Sequence, residues 1–157
     1  MFNRILNPIF IANSIQFLFL FFIVIWILGI ISPIFLNKDQ IDFYFLLKFF
    51  YSPVCHQNPT KSFACNGFQL MVCARCFGIY IGLLISNVLI FTNFLPKIKL
   101  NYLFLSSFPM IFDIILYQFE LYSYNKIVSL ITGIIFGTIL FLFIFEVIRE
   151  SVLKVNR

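Results

Sequence analysis

Four long apolar runs constrain this chain more than any other feature, because each is long enough to cross a membrane as a helix. The first covers about residues 14–36 and contains no charged side chain. A helix of that length spans the ~30 Å hydrocarbon layer of a bilayer. Three further runs follow at about residues 72–95, 100–119 and 127–145. Since backbone polar groups in lipid must pair within their own segment, each run is predicted to be a transmembrane helix.

The composition supports this prediction. Of the 157 residues, 62% are hydrophobic and 11% are charged, whereas soluble domains carry about 25% charged residues. A small domain buries only part of its surface, so much of this apolar surface must face lipid. We therefore predict an all-α membrane protein in which residues 1–157 form a single polytopic domain.

A shorter apolar segment, Ile41 to Tyr51, follows the first run and includes Asp42 and Lys48. A segment of this length is too short to span a bilayer and is more typical of a helix that lies in the interface. The predicted fold is thus a bundle of about four transmembrane helices with one short interfacial helix. Residues 52–72 form the polar loop that comes next.

Basic residues predict the orientation, since Lys and Arg are enriched in cytoplasmic connections. With the N-terminus inside, the cytoplasmic segments hold six of them: Arg4, Lys97, Lys99, Arg149, Lys154 and Arg157. The other side holds five: Lys38, Lys48, Lys61, Arg75 and Lys126. Lys48 lies in an apolar stretch and Arg75 at the end of a span, and setting these two aside leaves six against three. Both termini are therefore predicted in the cytoplasm, with the polar loop outside.

The net charge of +5 lies in short connections and forms no basic run with interleaved aromatic residues. That pattern suits membrane orientation and argues against nucleic-acid binding. The predicted environment is the lipid bilayer of the cell (cytoplasmic) membrane, which the chain crosses several times. The sequence does not decide whether the protein also binds a protein partner.

Small residues spaced by four predict which spans pack together. The second span carries Gly78, Gly82 and Ser86, and the fourth carries Ser129, Gly133 and Gly137. Residues with this spacing share one face of a helix, and small side chains there let two backbones approach closely in lipid. We predict that the second and fourth spans pack along these two stripes.

The concentrated chemistry of the chain lies between Cys55 and Cys76, where all 4 cysteines and the 1 histidine occur. Cys73 and Cys76 are three residues apart, so they share a face at the first turn of the second span, with Tyr80 beyond them and the glycines opposite. The N-terminus of a helix lowers the pKa of a thiol through its free N–H groups, and the neighbouring Arg75 adds to that effect.

Three interpretations of this cluster are open. The first is a metal site, most simply zinc, with Cys55, His56, Cys73 and Cys76 as ligands, because thiolate and imidazole are the groups that zinc prefers. Whether such a metal is structural or catalytic is not decided by the residues.

The second interpretation is thiol–disulfide chemistry. The layout resembles that of four-helix membrane oxidoreductases that pass electrons between quinones and protein disulfides. By that resemblance, Cys55 and Cys65 form a shuttle pair, and Cys73 and Cys76 form the pair that faces quinone. Cys73 and Cys76 are then candidate catalytic residues. Arg75 and Tyr80 are the candidates for contact with a cofactor.

The third interpretation is structural. Two disulfides would staple the loop of an accessory or assembly subunit in an oxidising compartment. This explains the even number of cysteines, but it gives His56 and Arg75 no role.

Asp113 lies inside the third span, where a carboxylate is costly and indicates function by default. It is expected about two turns below the outer surface, near the depth of Cys76 and Tyr80. We predict that Asp113 reaches the same site, as a partner of a ligand or as a proton acceptor. The alternative is a neutral carboxyl bonded to a nearby Tyr or Ser. Asp113 is thus the third candidate catalytic residue.

A longer pattern contains these residues. It reads Cys55-His56-Gln57, then Lys61-Ser62-Phe63, then Cys73-Ala74-Arg75-Cys76, then Gly78, Tyr80 and Gly82. The pattern resembles that of a family of small prokaryotic membrane proteins known as a domain of unknown function. The second half of that pattern is similar to residues Pro109, Asp113, Thr132, Gly133 and Gly137.

The chain departs from the family pattern at four positions. Lys61 stands for the usual Arg, Phe77 for a Thr, and Ile114 for a Gly, while Cys65 lies outside the pattern. If Cys65 is incidental, the two-pair redox interpretation loses its shuttle partner. The resemblance therefore favours the metal ligands without implying a reaction.

Overall fold

The structure is a computed structural model that describes residues 8–36, 40–65, 67–91 and 98–155, with side chains described from residue 14 to residue 151. Within these ranges the chain forms five α-helices: α1 (Pro8–Ile31), α2 (Ile41–Tyr51), α3 (Ala74–Phe91), α4 (Leu100–Gln118) and α5 (Lys126–Val155). Two short strands, β1 (Ala64–Cys65) and β2 (Phe68–Gln69), form an antiparallel hairpin. The predicted end of the second span at residue 95 and the basic residues Arg4, Lys38, Lys97 and Arg157 lie outside the described residues.

The predicted helical membrane fold is confirmed. Four segments are long and apolar enough to cross a bilayer: Ser14–Phe35, Ala74–Phe91, Leu100–Gln118 and Lys126–Ser151. The short helix α2 has 11 residues, as the predicted interfacial helix requires. Large apolar side chains of α4, such as Phe104, Leu105 and Phe108, are each about two-thirds exposed (66%, 69% and 66%). Such a surface suits lipid rather than water.

Helices α3 and α5 pack along the two predicted stripes of small residues. Each of four glycines lies against a backbone carbonyl of the other helix, so that an added Cβ atom would clash with it: Gly78 and Gly82 on α3, and Gly133 and Gly137 on α5. Ser86 and Ser129, which extend the stripes, are fully buried. Close backbone contact through small residues replaces the hydrophobic driving force that is missing in lipid. The predicted packing of the second and fourth spans is confirmed.

The other two spans pack at the sides of this pair. Helix α4 packs mainly on α5, and α1 packs mainly on α3. The side-chain amides of Gln16 and Asn87 join α1 to α3, because each donates to the backbone carbonyl of the other residue, at 3.2 and 3.5 Å. Both amides are buried, and in lipid such groups need a partner in the protein.

We call the end of the bundle where α3 begins and α4 ends the cysteine end. Here α2, the hairpin and the loop between them cover the end of α1. The buried side chains of this region form one core cluster: Ile30, Tyr44, Tyr51, Cys55, Leu70, Met71 and Val72. A second cluster on α3 and α5, at the opposite end of the bundle, contains Ile90, Phe141, Leu142 and Phe145. The loop that carries Cys55 is therefore packed into the fold.

Candidate metal centre

The loop between α2 and α3 has a defined conformation that begins at the end of α2. Tyr51, the last residue of α2, is buried and donates its hydroxyl to the backbone carbonyl of Trp26 at 2.9 Å. The hairpin follows, with Gly67 at its turn in a left-handed conformation (φ 85°). After it, the amide of Met71 bonds to the carbonyl of Ile30 at 3.4 Å. These contacts fix both ends of the loop against α1.

Gln57 holds the middle of the loop. Its side-chain amide donates to the carbonyl of Lys48 at 2.8 Å, and its own carbonyl accepts from the Gln69 side chain at 3.0 Å. Its backbone is left-handed (φ 49°), which is uncommon for a residue with a side chain. Because Gln57 is buried and bonded on both sides, it connects α2 to the hairpin and sets the position of Cys55.

Three cysteine sulfurs meet where this loop reaches the start of α3. The sulfur atoms of Cys55, Cys73 and Cys76 all lie within 4.8 Å of one another. Cys55 is buried, and the other two are half-buried. The backbone amide of Cys73 donates to the Cys55 sulfur at 3.2 Å, and the amide of Gln57 donates to it at 3.5 Å. Two N–H donors on one sulfur favour a thiolate there.

The hydrogen bonds among the thiols set the order in which they lose protons. The thiols of Cys73 and then Cys76, together with the two backbone amides, hold the pKa of Cys55 well below the usual range of a thiol. The pKa of Cys73 is raised, chiefly because its thiol donates to Cys55. Negative charge in the thiol group is therefore favoured first on Cys55. A cation bound between the three sulfurs would offset the charge of the Cys73 and Cys76 thiolates as well.

The structure brings together three of the four predicted metal ligands and leaves His56 apart. The His56 side chain is exposed, whereas its neighbours Cys55 and Gln57 are both buried. With Cys55 and Gln57 directed inward, His56 is directed outward.

Cys65 also lies apart from the three sulfurs. It is exposed on β1 of the hairpin, and all four cysteines are free. The arrangement is therefore one group of three thiols plus a separate thiol. It joins neither the shuttle pair Cys55 and Cys65 nor the two disulfides of a stapled loop.

Aromatic side chains line the membrane side of the thiol group. Tyr80 packs with Cys73 and Cys76 against the core cluster that contains Cys55. All three lie on the face of α3 that their spacing predicts. The Trp26 ring lies 4.7 Å from the Tyr51 ring and 6.0 Å from the Tyr80 ring, measured between centroids. These contacts place a group of aromatic rings in the same packed region as Cys73 and Cys76.

Asp113 reaches the thiol group only through Arg75, which lies between Cys73 and Cys76 in sequence. The Arg75 guanidinium donates to the Asp113 carboxylate at 2.5 Å, and the Ser129 hydroxyl donates to the same oxygen at 2.8 Å. The Tyr122 hydroxyl donates to the other oxygen. Asp113 is thus bonded to a Tyr and a Ser, as one alternative expected, but its main partner is a cation, so it is an ion-paired carboxylate.

Several residues of this network carried no clear signal in the sequence. Tyr122 and Ser129 lie 9 and 16 residues from Asp113 in sequence. That both hydroxyls donate to its carboxylate follows from how α4 and α5 face each other. The Lys61 ammonium lies 4.2 Å from the centre of the Tyr117 ring, a cation–π contact. The Lys126 ammonium donates to the carbonyl of Ser62 at 2.7 Å. The sequence signals for this network were the stripe of small residues, which contains Ser129, and the family pattern, which contains Lys61.

The fold and the site define a class: a polytopic helical membrane protein with a three-thiol group where a packed loop meets the start of a transmembrane helix. Residues 55–143, more than half of the chain, match the family described as "Predicted membrane protein (DUF2085)". The chain belongs to this family. The matched region begins at Cys55 and includes all three sulfurs of the group together with Arg75 and Asp113.

A curated relative extends the comparison to a second organism. An uncharacterized protein of Methanocaldococcus jannaschii is 36% identical over 109 residues, which cover 66% of this chain and 69% of the relative. No solved structure matches the chain significantly. The predicted membership of a membrane-protein family is confirmed.

Proposed function

We propose that this membrane protein binds a metal ion, zinc, through the thiolates of Cys55, Cys73 and Cys76. The observation that supports the proposal is the convergence of the three sulfurs within 4.8 Å of one another. Cys55 comes from a loop 18 residues away from Cys73. A chain that only needed to pack small apolar side chains would not require three thiols at one point, and zinc favours such ligands.

The surroundings of Cys55 support a bound cation. Its sulfur accepts two backbone N–H groups, from Cys73 and Gln57. Such donors orient a ligating sulfur and tune the charge that it shares with a metal. Soft thiolate groups favour zinc or monovalent copper over magnesium or calcium, which take oxygen ligands.

With three protein ligands, a tetrahedral zinc ion has one coordination position left to fill. Structural sites close this position with a fourth protein ligand, and catalytic sites leave it to water or substrate. We assign the position to His56, which follows Cys55 directly and is exposed. For its imidazole to reach the metal, the backbone next to Cys55 must rotate locally. This assignment makes the site a closed one, and replacing His56 tests it separately from the three thiols.

The direct test is the metal content of the protein, purified in detergent under reducing conditions. We expect about one zinc ion per chain, and loss of zinc on replacement of Cys55, Cys73 or Cys76 by Ser. Cys65→Ser is the matched control, because Cys65 is a free thiol of the same chain outside the group. Fully reduced protein that retains no zinc, copper or iron in stoichiometric amount would contradict the proposal.

A thiol–disulfide function is the second candidate, favoured by the same proximity of the sulfurs. Two thiols of the group need only a small shift to form a disulfide of about 2.05 Å. In this function Cys73 and Cys76 lose two electrons and two protons to a membrane quinone, which becomes a hydroquinone. Trapping the thiols with a mass tag, with and without quinone, tests it. A quinone-independent thiol state would exclude this function.

We propose that the protein lies in the cytoplasmic membrane with both termini inside and the cysteine end outside. The basic residues of the chain support this orientation. Cys65 is exposed on the hairpin and provides the test. A membrane-impermeant maleimide added to intact cells should label Cys65 in a Cys55→Ser, Cys73→Ser, Cys76→Ser background. Labelling only after cell lysis would place the loop in the cytoplasm.

A further inference from the structure

The last two turns of α4 contact both segments that carry the thiols, although α4 contributes no sulfur. The first contact runs to α3. Asp113 of α4 pairs with Arg75 at 2.5 Å, and Arg75 occupies the helix turn that carries Cys73 and Cys76. The Asp113 side chain is 3% exposed and the Arg75 side chain 20%. Helix α4 packs mainly on α5, and this ion pair connects it to α3 as well.

The second contact runs to the loop that carries Cys55. Tyr117, one turn beyond Asp113, lies under the Lys61 ammonium at 4.2 Å, and Tyr124 lies 5.6 Å from the same ammonium. The rings of Tyr117 and Tyr124 pack edge to face with centroids 5.5 Å apart. Next to this contact Lys126 bonds to the carbonyl of Ser62 at 2.7 Å. The loop is thus held on the ends of α4 and α5.

We propose that Asp113 and Tyr117 of α4 are positioning residues that align the two halves of the metal site, so that metal binding and the docking of α4 stabilise each other. This inference rests on the proposed metal site. Asp113 fixes the turn with Cys73 and Cys76 through Arg75, and Tyr117 fixes the Cys55 loop through Lys61. Neither residue touches a sulfur.

The physical argument depends on how much a buried charge costs. A carboxylate at membrane depth is unfavourable unless it is paired, and a well-packed apolar pair often replaces a buried ion pair without loss of stability. A pair retained only for folding could therefore be replaced by apolar residues. If the pair positions the metal ligands, the same replacement lowers the affinity for the metal. By linkage, whatever α4 contributes to metal affinity, the metal contributes equally to the docking of α4.

The test uses the double variant Arg75→Met, Asp113→Leu in the full-length protein, since replacing both partners leaves no unpaired buried charge. Zinc affinity is measured by chelator competition, and the thermal stability of the metal-free protein is measured alongside. We expect a zinc affinity about 10-fold lower, in the range found for residues that orient metal ligands. The metal-free protein should lose only the small stability that the Ser129 and Tyr122 hydroxyls gain from Asp113 as acceptor. Ser106→Ala is the control, because Ser106 is a buried residue of α4 whose hydroxyl bonds within its own helix.

A second variant guards against misfolding of the first. Lys61→Met keeps the length of the side chain and removes the cation from the Tyr117 ring, and Lys61 lies in a surface loop. We expect a several-fold loss of zinc affinity for this variant also. An unchanged zinc affinity in both variants would overturn the positioning roles.

A metal-free measurement separates this inference from the proposed function. In metal-free protein, the rate at which N-ethylmaleimide modifies Cys73 and Cys76 is compared with that of Cys65 in the same chain. A changed ratio in the double variant supports the positioning of the thiols by α4, even if the unmodified protein binds no zinc and the proposed function fails. The inference is overturned if this ratio of modification rates is the same in the double variant and in the Ser106→Ala control, and if zinc either binds with unchanged affinity or does not bind at all.

Discussion

The backbone amide of Cys73 donates a hydrogen bond to the sulfur of Cys55 at 3.2 Å, across 18 residues of sequence. Cys73 directly precedes the first residue of α3, where backbone N–H groups have no partner within the helix. One of these free N–H groups therefore stabilises negative charge on a sulfur from the loop. This contact joins the two halves of the site. It adds to the hydrogen bonds from the Cys73 and Cys76 thiols, which are the larger causes of the lowered pKa of Cys55.

The pKa values predict how many protons zinc displaces. Cys55, whose pKa is lowered, is already a thiolate near neutral pH, whereas Cys73, whose pKa is raised, still carries its proton. A second charge beside the first also opposes ionisation of the third thiol. Zinc that binds three thiolates should therefore release about two protons, and its affinity should rise about 100-fold per pH unit near neutrality.

Calorimetry in buffers with different ionisation enthalpies measures this proton release. The sign follows from the requirement for thiolates: as the pH falls, protons compete with zinc and the affinity drops. A release of three protons would mean that Cys55 is protonated in the metal-free protein, and that the hydrogen bonds to its sulfur do not lower its pKa enough. Cys65→Ser should leave the proton count unchanged, since Cys65 lies outside the group.

Replacing His56 tests the fourth ligand. If His56 completes a tetrahedral site, His56→Ala lowers zinc affinity by at least about 10-fold, because a ligand contributes no less than the outer residues that orient one. Cobalt substitution provides the spectroscopic measurement, since the visible bands of Co²⁺ change when a nitrogen ligand is lost. Unchanged affinity and an unchanged spectrum would show that the fourth position belongs to water or a substrate.

The membrane fold could be predicted from the sequence because the constraints in lipid are local. An uncharged run such as residues 14–36 has few alternatives to a spanning helix, and the spacing of Gly78 and Gly82 shows which face of α3 packs. The hairpin at Ala64–Cys65 was missed, because two residues per strand show no periodicity. Local patterns thus predicted the bundle but not the fold of its loop.

The candidate site could be predicted only in part. The spacing of Cys73 and Cys76 within one helix placed both thiols correctly on the Tyr80 face. The position of Cys55 depends on contacts of a non-helical loop with α1, α2 and α3, which no local pattern encodes. His56 was grouped with Cys55 because the two are adjacent in sequence. The structure places His56 at an exposed position beside the buried Cys55, so its role as a ligand stays a prediction.

The close contact of α3 and α5 predicts the effect of a single methyl group. A Cβ atom at position 133 would meet the backbone carbonyl of Arg75, which cannot move without moving the turn of Cys73 and Cys76. Gly133→Ala should therefore destabilise the protein by about 1–3 kcal/mol, the usual cost of overpacking, and should weaken zinc binding as well. Ile135→Ala, at an exposed position of the same helix, is the control. Thermal unfolding in detergent measures the first effect, and equal stability of the two variants would contradict it.

The end of α4 predicts a stabilising substitution. The amide of Leu121 bonds to the carbonyl of Leu116, and the amide of Glu120 bonds to that of Tyr117, which is the hydrogen-bond pattern of a Schellman C-cap. In this motif Glu120 is the left-handed residue (φ 56°), a conformation that costs a residue with a side chain about 1–2 kcal/mol. Glycine adopts it freely, but it loses roughly 0.5–1 kcal/mol more conformational entropy on folding.

Glu120→Gly should therefore raise the free energy of unfolding by about 0.5–1 kcal/mol, the difference between these two terms. Glu120→Ala is the matched control, because it removes the same carboxylate but keeps the Cβ atom that causes the strain. If backbone strain is the cause, glycine stabilises the protein and alanine does not. If both substitutions raise stability equally, the cause is the negative charge near the C-terminal end of a helix dipole. Glu120 lies three residues beyond Tyr117, which contacts the Cys55 loop through Lys61. A more stable C-terminal end of α4 should hold this loop in place, so the Glu120→Gly variant should bind zinc at least as tightly as the unmodified protein.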